Sequence, residues 1–347
     1  MSHALLADLW FGVVGFFWLG YFVLEGFDFG VGMLLPILGR EGPQRQAMLR
    51  TIEPVWDGNE VWLIVAVGAT FAAFPAWYAT LFSGFYAAIF LVLVALILRA
   101  VAFEFRGKVE DPRWVRWWER AITVGSLLPA LIWGLVLAGQ LGGIPIDRAG
   151  DFTGGPLDLL RPYALVGALA FAVLFFLYGS VFLCLRTTGP LTEHARQLTG
   201  RVWLVALVVV GGFLAWTFAG TSGGRGHGAL SIALPAMSFI ALALVLILHR
   251  ARREALAFAA TGIAILCLVS TLFLALFPRV LVSSVSESFS LTVAGASSSP
   301  YALGVMSVGA VIFAPVVLVY EGWAYWVFRK RVASAPMDTR AAGSRGA

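Results

Sequence analysis

From Trp10 to Leu38 the chain reads WFGVVGFFWLGYFVLEGFDFGVGMLLPIL. A bilayer core about 30 Å thick is crossed by about 20 apolar residues in a helix, and this run exceeds that length. It is apolar all round, as a helix among helices and lipid must be. Eight further stretches have the same character: 55–76, 79–105, 117–139, 162–185, 201–220, 229–249, 255–278 and 301–328. Pro75, Pro129, Pro235 and Pro315 fall within or at the ends of these runs and are expected to be absorbed, because neighbouring helices satisfy the freed carbonyls. The two-residue alternation of a membrane barrel is absent. The reading is an all-α polytopic membrane protein with nine transmembrane helices.

Composition points the same way. Of the 347 residues 60% are hydrophobic and 12% charged, against roughly 45–50% and 25% in soluble domains. That excludes a soluble enzyme, a disordered chain and a nucleic-acid-binding domain. Two cysteines exclude a disulfide framework or a Cys-rich metal site; Cys184 and Cys267 read as small core residues. The net charge of +5 is a topology signal. Segments after odd-numbered spans, with the C-terminal tail, hold 19 of the 24 Lys and Arg residues; segments after even-numbered spans hold 4, and Arg99 lies inside a span. This asymmetry places the N-terminus outside and the C-terminus in the cytoplasm. No removable signal peptide is expected, since the first span is too long and carries acids. Residues 1–331 read as a single transmembrane domain and 332–347 as a disordered cytoplasmic tail. The outside loops near 140–161 and 279–300 are too short for a core of their own, and no inverted repeat is visible.

Ionisable residues inside a bilayer are costly and mark function by default. Glu25 and Asp28 lie three apart on one helix face. Asp57 and Glu60 repeat that spacing at the start of the second span, Arg99 and Glu104 end the third, and Glu321 lies in the ninth. All fall in or at the cytoplasmic half. Two readings stand: proton uptake from the cytoplasm through Asp57, Glu25, Asp28 and Glu60, or fixed counter-ions for Arg99. Asp57 and Glu60 also suit the N-terminus of a helix, where carboxylates complement the dipole. Glu104 and Glu321, near helix ends, are expected to reach the interface, and Glu104, close to Arg99 in sequence, is also a candidate counter-ion or structural partner for it. Gly26, Gly30 and Gly32 leave room either for close helix approach or for water. The four histidines, His3, His194, His227 and His249, lie at termini, loops or a span end, which makes this chain by itself a poor haem binder. Trp114, Trp117, Trp118, Trp323 and Trp326 mark the expected cytoplasmic boundary.

At these motifs the sequence resembles subunit II of the bacterial cytochrome bd-type quinol oxidases. The resemblance rests on Glu25-Gly26-Phe27-Asp28-Phe29-Gly30-Val31-Gly32, on Pro54-Val55-Trp56-Asp57-Gly58-Asn59-Glu60-Val61-Trp62, on Phe71-Ala72-Ala73-Phe74-Pro75, on Leu98-Arg99-Ala100-Val101-Ala102-Phe103-Glu104, and on Tyr320-Glu321-Gly322-Trp323-Ala324-Tyr325-Trp326. It implies two four-helix bundles plus one peripheral helix in the bacterial cell membrane. It implies pairing with a subunit I that holds b-type and d-type haems and oxidises quinol, often joined by a small single-span subunit. Subunit II then carries no haem, can hold a structural quinone and contributes to a cytoplasmic proton path for reduction of oxygen to water, which builds proton motive force without pumping. The family's path acid in the Trp-Asp-Gly-Asn motif falls on Asp57; the one in the first span falls on Glu25 or Asp28. Members often have Asp where this chain has Glu25, which moves the carboxylate by about one methylene. Two other readings use the same residues: a proton-coupled secondary transporter and a purely structural scaffold subunit.

Overall fold

The computed structural model describes residues 2–220 and 228–333. Arg225, His227 and the expected tail beyond Ala333 lie outside the described residues. The helices are α1 (His3–Leu38), α2 (Gly42–Ile52), α3 (Trp56–Ala73), α4 (Pro75–Gly84), α5 (Tyr86–Phe105), α6 (Pro112–Gly142), α7 (Pro162–Arg186), α8 (Pro190–Gly220), α9 (Leu230–Arg250), α10 (Glu254–Leu276), α11 (Val293–Ala296) and α12 (Pro300–Val327). Among the described residues eight of them, α1, α5 to α10 and α12, are long and apolar enough to cross a membrane. α3 is less apolar because its first turns carry Asp57, Asn59 and Glu60. It nevertheless runs between the same two ends. Trp56 stacks on Phe103 of α5 at the Arg-rich end, with centroids 4.9 Å apart, and at the other end the Ala73 carbonyl accepts from the Ser298 N–H at 2.8 Å.

The second and third expected spans are cut differently from the sequence reading. Pro75 is not absorbed. The chain turns at Phe74, with φ −136° and ψ 67°, and Pro75 opens α4, where its missing N–H and fixed φ suit a first helical position. A second break at Phe85 separates the short α4 from α5. Pro129, Pro235 and Pro315 do lie inside α6, α9 and α12. The segment after the first span, expected as loop, folds as α2 and buries Ala47, Met48, Leu49, Thr51 and Ile52.

α1 is central and packs on α3, α6, α7 and α10. From Glu25 to Leu35 every residue of it is buried. The glycines there serve close approach: a Cβ on Gly30 would stand 2.1 Å from the Phe175 carbonyl oxygen, and one on Gly179 would stand 2.4 Å from the Gly30 carbonyl carbon. The backbones of α1 and α7 therefore touch, as small residues permit in membrane bundles. α12 is the opposite case. Only Leu303 of it is buried, and Trp10 of α1 ties it down by donating to the Leu303 carbonyl at 3.0 Å and the Ser307 hydroxyl at 2.9 Å. Between α12, α1 and α3 runs an apolar cleft of about 690 Å³.

The two loops at the end opposite the Arg-rich one share one small cap. β2 (Arg279–Leu281) pairs antiparallel with β3 (Leu291–Thr292). The Ile144 N–H donates to the Val282 carbonyl at 3.0 Å, and the Ser283 hydroxyl donates to the Ile146 carbonyl at 2.8 Å. At the Arg-rich end β1 (Thr187–Thr188) pairs in parallel with β4 (Val332–Ala333), so the first two residues of the expected tail are paired. Cys184 and Cys267 are free and buried.

Candidate functional site

The second half of α1 carries Glu25 and Asp28 into the interior, and both are 0% exposed, as are Arg99 and Asn59. Each carboxylate meets a different neighbour. Arg99 comes from α5 and forms an ion pair with Glu25 through Nη1 and Oε1. Its guanidinium also lies over the Phe29 ring, 4.9 Å from the centroid, and 5.7 Å from that of Phe103. Those contacts suit a weakly hydrated, delocalised cation. Gly125 of α6 makes room, since a Cβ there would stand 2.7 Å from the Arg99 Cβ.

Asp28 faces α3 instead. The Asn59 amide donates to Asp28 Oδ2 at 2.6 Å and to the Leu24 carbonyl at 3.1 Å. The Tyr325 hydroxyl, from the last turn of α12, donates to Asn59 Oδ1 at 2.8 Å. Three helices thus meet through one amide. One turn further along α3, Trp62 Nε1 donates to Glu321 of α12 at 3.3 Å. Among the described residues Glu25 Oε2, Asp28 Oδ1, Glu60 Oε2, Arg99 Nε and Arg99 Nη2 are buried without a protein partner.

The other acids named from sequence are placed elsewhere. Asp57 is exposed in the first turn of α3, where its carboxylate accepts the Gly58 N–H at 2.8 Å. Glu60 is half-buried one turn deeper. Glu104 is exposed and is no counter-ion of Arg99: five residues along a helix is about 140° around its axis. Its neighbour Arg106 pairs with Glu119 of α6 at 2.8 Å, and Arg45 of α2 binds the same carboxylate at 3.2 Å. Sequence reasoning missed Glu119, Asn59 and Tyr325. No histidine is buried among the described residues, and the buried methionines Met33 and Met48 pack in the apolar core. This interior does not fit the axial ligands of a haem.

A family model for subunit II of the cytochrome bd terminal oxidases matches residues 6–328. The chain belongs to that family. The subunit II protein of the Bacillus subtilis (strain 168) cytochrome bd ubiquinol oxidase is 41% identical over 95% of this chain and 97% of its own length. Subunit 2 of the cytochrome bd-I ubiquinol oxidase of Escherichia coli (strain K12) is 33% identical over 97% and 98%. A chain in a solved structure of the bd oxidase from Geobacillus thermodenitrificans shares the fold, with TM-score 0.74 at 17% identity, over 93% of this chain and 97% of that one. As a bd oxidase subunit II, the protein is a multi-pass component of a bacterial membrane complex in respiratory electron transport, with a subunit I as its counterpart.

Proposed function

We propose that this subunit II carries protons from the cytoplasm toward the oxygen-reducing centre of its complex, and itself holds no haem. In this reading the N-terminus lies outside and nine helices span: the eight apolar ones and α3. They form two four-helix bundles with α12 peripheral. The b-type and d-type haems belong to subunit I, and a small single-span subunit completes the assembly. Oxygen reduction consumes protons within the membrane, and charge does not cross dry hydrocarbon cheaply. A file of carboxylates and water lowers that cost. Asp57 is exposed at the mouth of α3, Glu60 is half-buried one turn in, and Asp28 and Glu25 are both fully buried. Protons drawn from the cytoplasm, while quinol releases its own outside, build a potential without pumping.

The observation that carries this reading is the set of buried oxygens on Glu25, Asp28 and Glu60 with no protein partner among the described residues. Buried polar groups of that kind are almost always satisfied by something, and water is small enough to link them. The scaffold reading draws on a different observation, the direct Glu25–Arg99 pair, which suits a fixed structural bridge. The structural quinone expected of the family suits the α1–α3–α12 cleft, whose walls are apolar and whose polar end is Trp62 and Glu321.

Measuring quinol-driven oxygen uptake and haem content together separates path from scaffold. Asp57→Asn should slow turnover at least tenfold with haem content near wild type. Glu25→Gln and Asp28→Asn should differ, since only one need lie on the path. Wild-type turnover in all three assembled variants would leave only the scaffold reading.

A further inference from the structure

We infer that the start of α6 is a binding site for an anionic glycerophospholipid, with its phosphate held by Arg113, Arg116 and Arg120. These residues fall at i, i+3 and i+7 and share one helix face. Among the described residues none of their guanidinium groups has a hydrogen-bond or ion-pair partner, in contrast to Arg45 and Arg106 beside them, which share the Glu119 carboxylate. Their placement is unfavourable in the isolated protein. Arg113 and Arg116 lie in the first turns of a 31-residue helix, where the dipole disfavours cations and the acid at hand is the Asp111 N-cap carboxylate, and the three arginines repel one another at three- and four-residue spacing. An anion seated among them relieves both.

The surface there is shaped for such an anion. Arg113, Arg116, Trp117 and Arg120 line a hollow of about 520 Å³. It adjoins a groove of about 390 Å³ between α6, α2 and the end of α1, lined by Arg116 and Arg120 and by the paired Arg45 and Glu119. The groove passes from these arginines to Leu35, Pro36 and Val124. Leu127 continues the exposed apolar surface one turn further into α6. Charge at one end and an apolar channel at the other match a phosphate with an acyl chain, and not a free phosphate. Trp117, exposed between the arginines, has the amphipathic ring of an interface anchor. A topogenic role alone asks only for positive charge on the loop, not for one shared face and an adjoining apolar groove.

Native mass spectrometry of the delipidated oxidase complex tests the site, using phosphatidylglycerol and phosphatidylcholine of identical chains. Each interfacial arginine is worth about fivefold in binding an anionic lipid. Wild type should prefer phosphatidylglycerol by at least tenfold at one site. Arg116→Gln should weaken that site about fivefold, and R113Q/R116Q/R120Q should abolish the preference. Equal binding of the two lipids by wild type overturns the proposal, whether or not the triple variant assembles. So does an unchanged preference in that variant. Displacement of the lipid by millimolar inorganic phosphate would assign the site to free phosphate and overturn it as well.

Discussion

Glu25 and Asp28 stand three residues apart on α1 and are equally buried, yet the protein handles them by different means. On the α5–α6 side Glu25 is matched by a full opposite charge, packed between aromatic rings and closed in by Gly125. On the α3–α12 side Asp28 is held by a neutral amide, which in turn leans on a tyrosine of a helix with one buried residue. The first region is rigid by construction: moving Arg99 strands a charge. The second rests on two neutral hydrogen bonds and a loosely seated helix, so a small shift of α12 changes the environment of Asp28. A carboxylate that must exchange its proton is better served by the second setting than by the first. The difference predicts unequal costs for breaking each side.

The largest effect is expected for Arg99→Leu. It leaves the Glu25 carboxylate buried without its partner, a loss of about 3–5 kcal/mol in comparable buried pairs. The assembled complex should fall to a small fraction of wild type in membranes, with a lowered thermal midpoint. Adding Glu25→Leu should restore much of the assembly, because replacing both members removes the stranded charge. If R99L alone assembles normally, the rigid side of the comparison fails.

Next comes Asn59→Leu. It removes the donor to Asp28 and the acceptor for Tyr325, leaving polar groups that cost about 1–3 kcal/mol each when buried. The thermal midpoint should drop less than in R99L, while turnover falls further than the stability loss accounts for. A midpoint loss as large as that of R99L would show that the two sides are equally structural.

How much of this was legible follows from what carries a signal in a single sequence. Apolar length marks nine stretches, eight of which correspond to the long apolar helices and the ninth to α3, and charge inside apolar runs marks Glu25, Asp28 and Arg99. The division of 55–105 into α3, α4 and α5 was hidden, because Pro75 reads alike whether a helix absorbs it or breaks at it; the outcome depends on neighbours. Asn59 and Tyr325 were hidden for another reason. Neutral side chains raise no alarm in an apolar run, and their 266-residue separation is closed only by the packing of α12 on α3. Glu119 had one usable clue: it is the acid among Arg113, Arg116 and Arg120, at a buried position of α6. Glu104 misled because closeness in sequence to Arg99 is not closeness on the helix surface.

Tyr325→Phe is the smallest change and the sharpest probe of the comparison. It deletes one hydroxyl and keeps the ring, which packs 6.3 Å from Phe27. Asn59 Oδ1 then loses its donor, at a cost of about 1 kcal/mol, and α12 loses a tie at its Arg-rich end while keeping the Trp10 bonds at the other. Assembly and haem content should match wild type within error. If Asp28 works through its neutral support, oxygen uptake in Y325F should nevertheless slow severalfold. In the background of Asp28→Asn the same substitution should add nothing further, because the acid it acts through is gone. Made with Glu25→Gln instead, its effect should multiply, since the two sides are then independent. Multiplication in both backgrounds would detach Tyr325 from Asp28, and the two carboxylates would differ only in how they are packed.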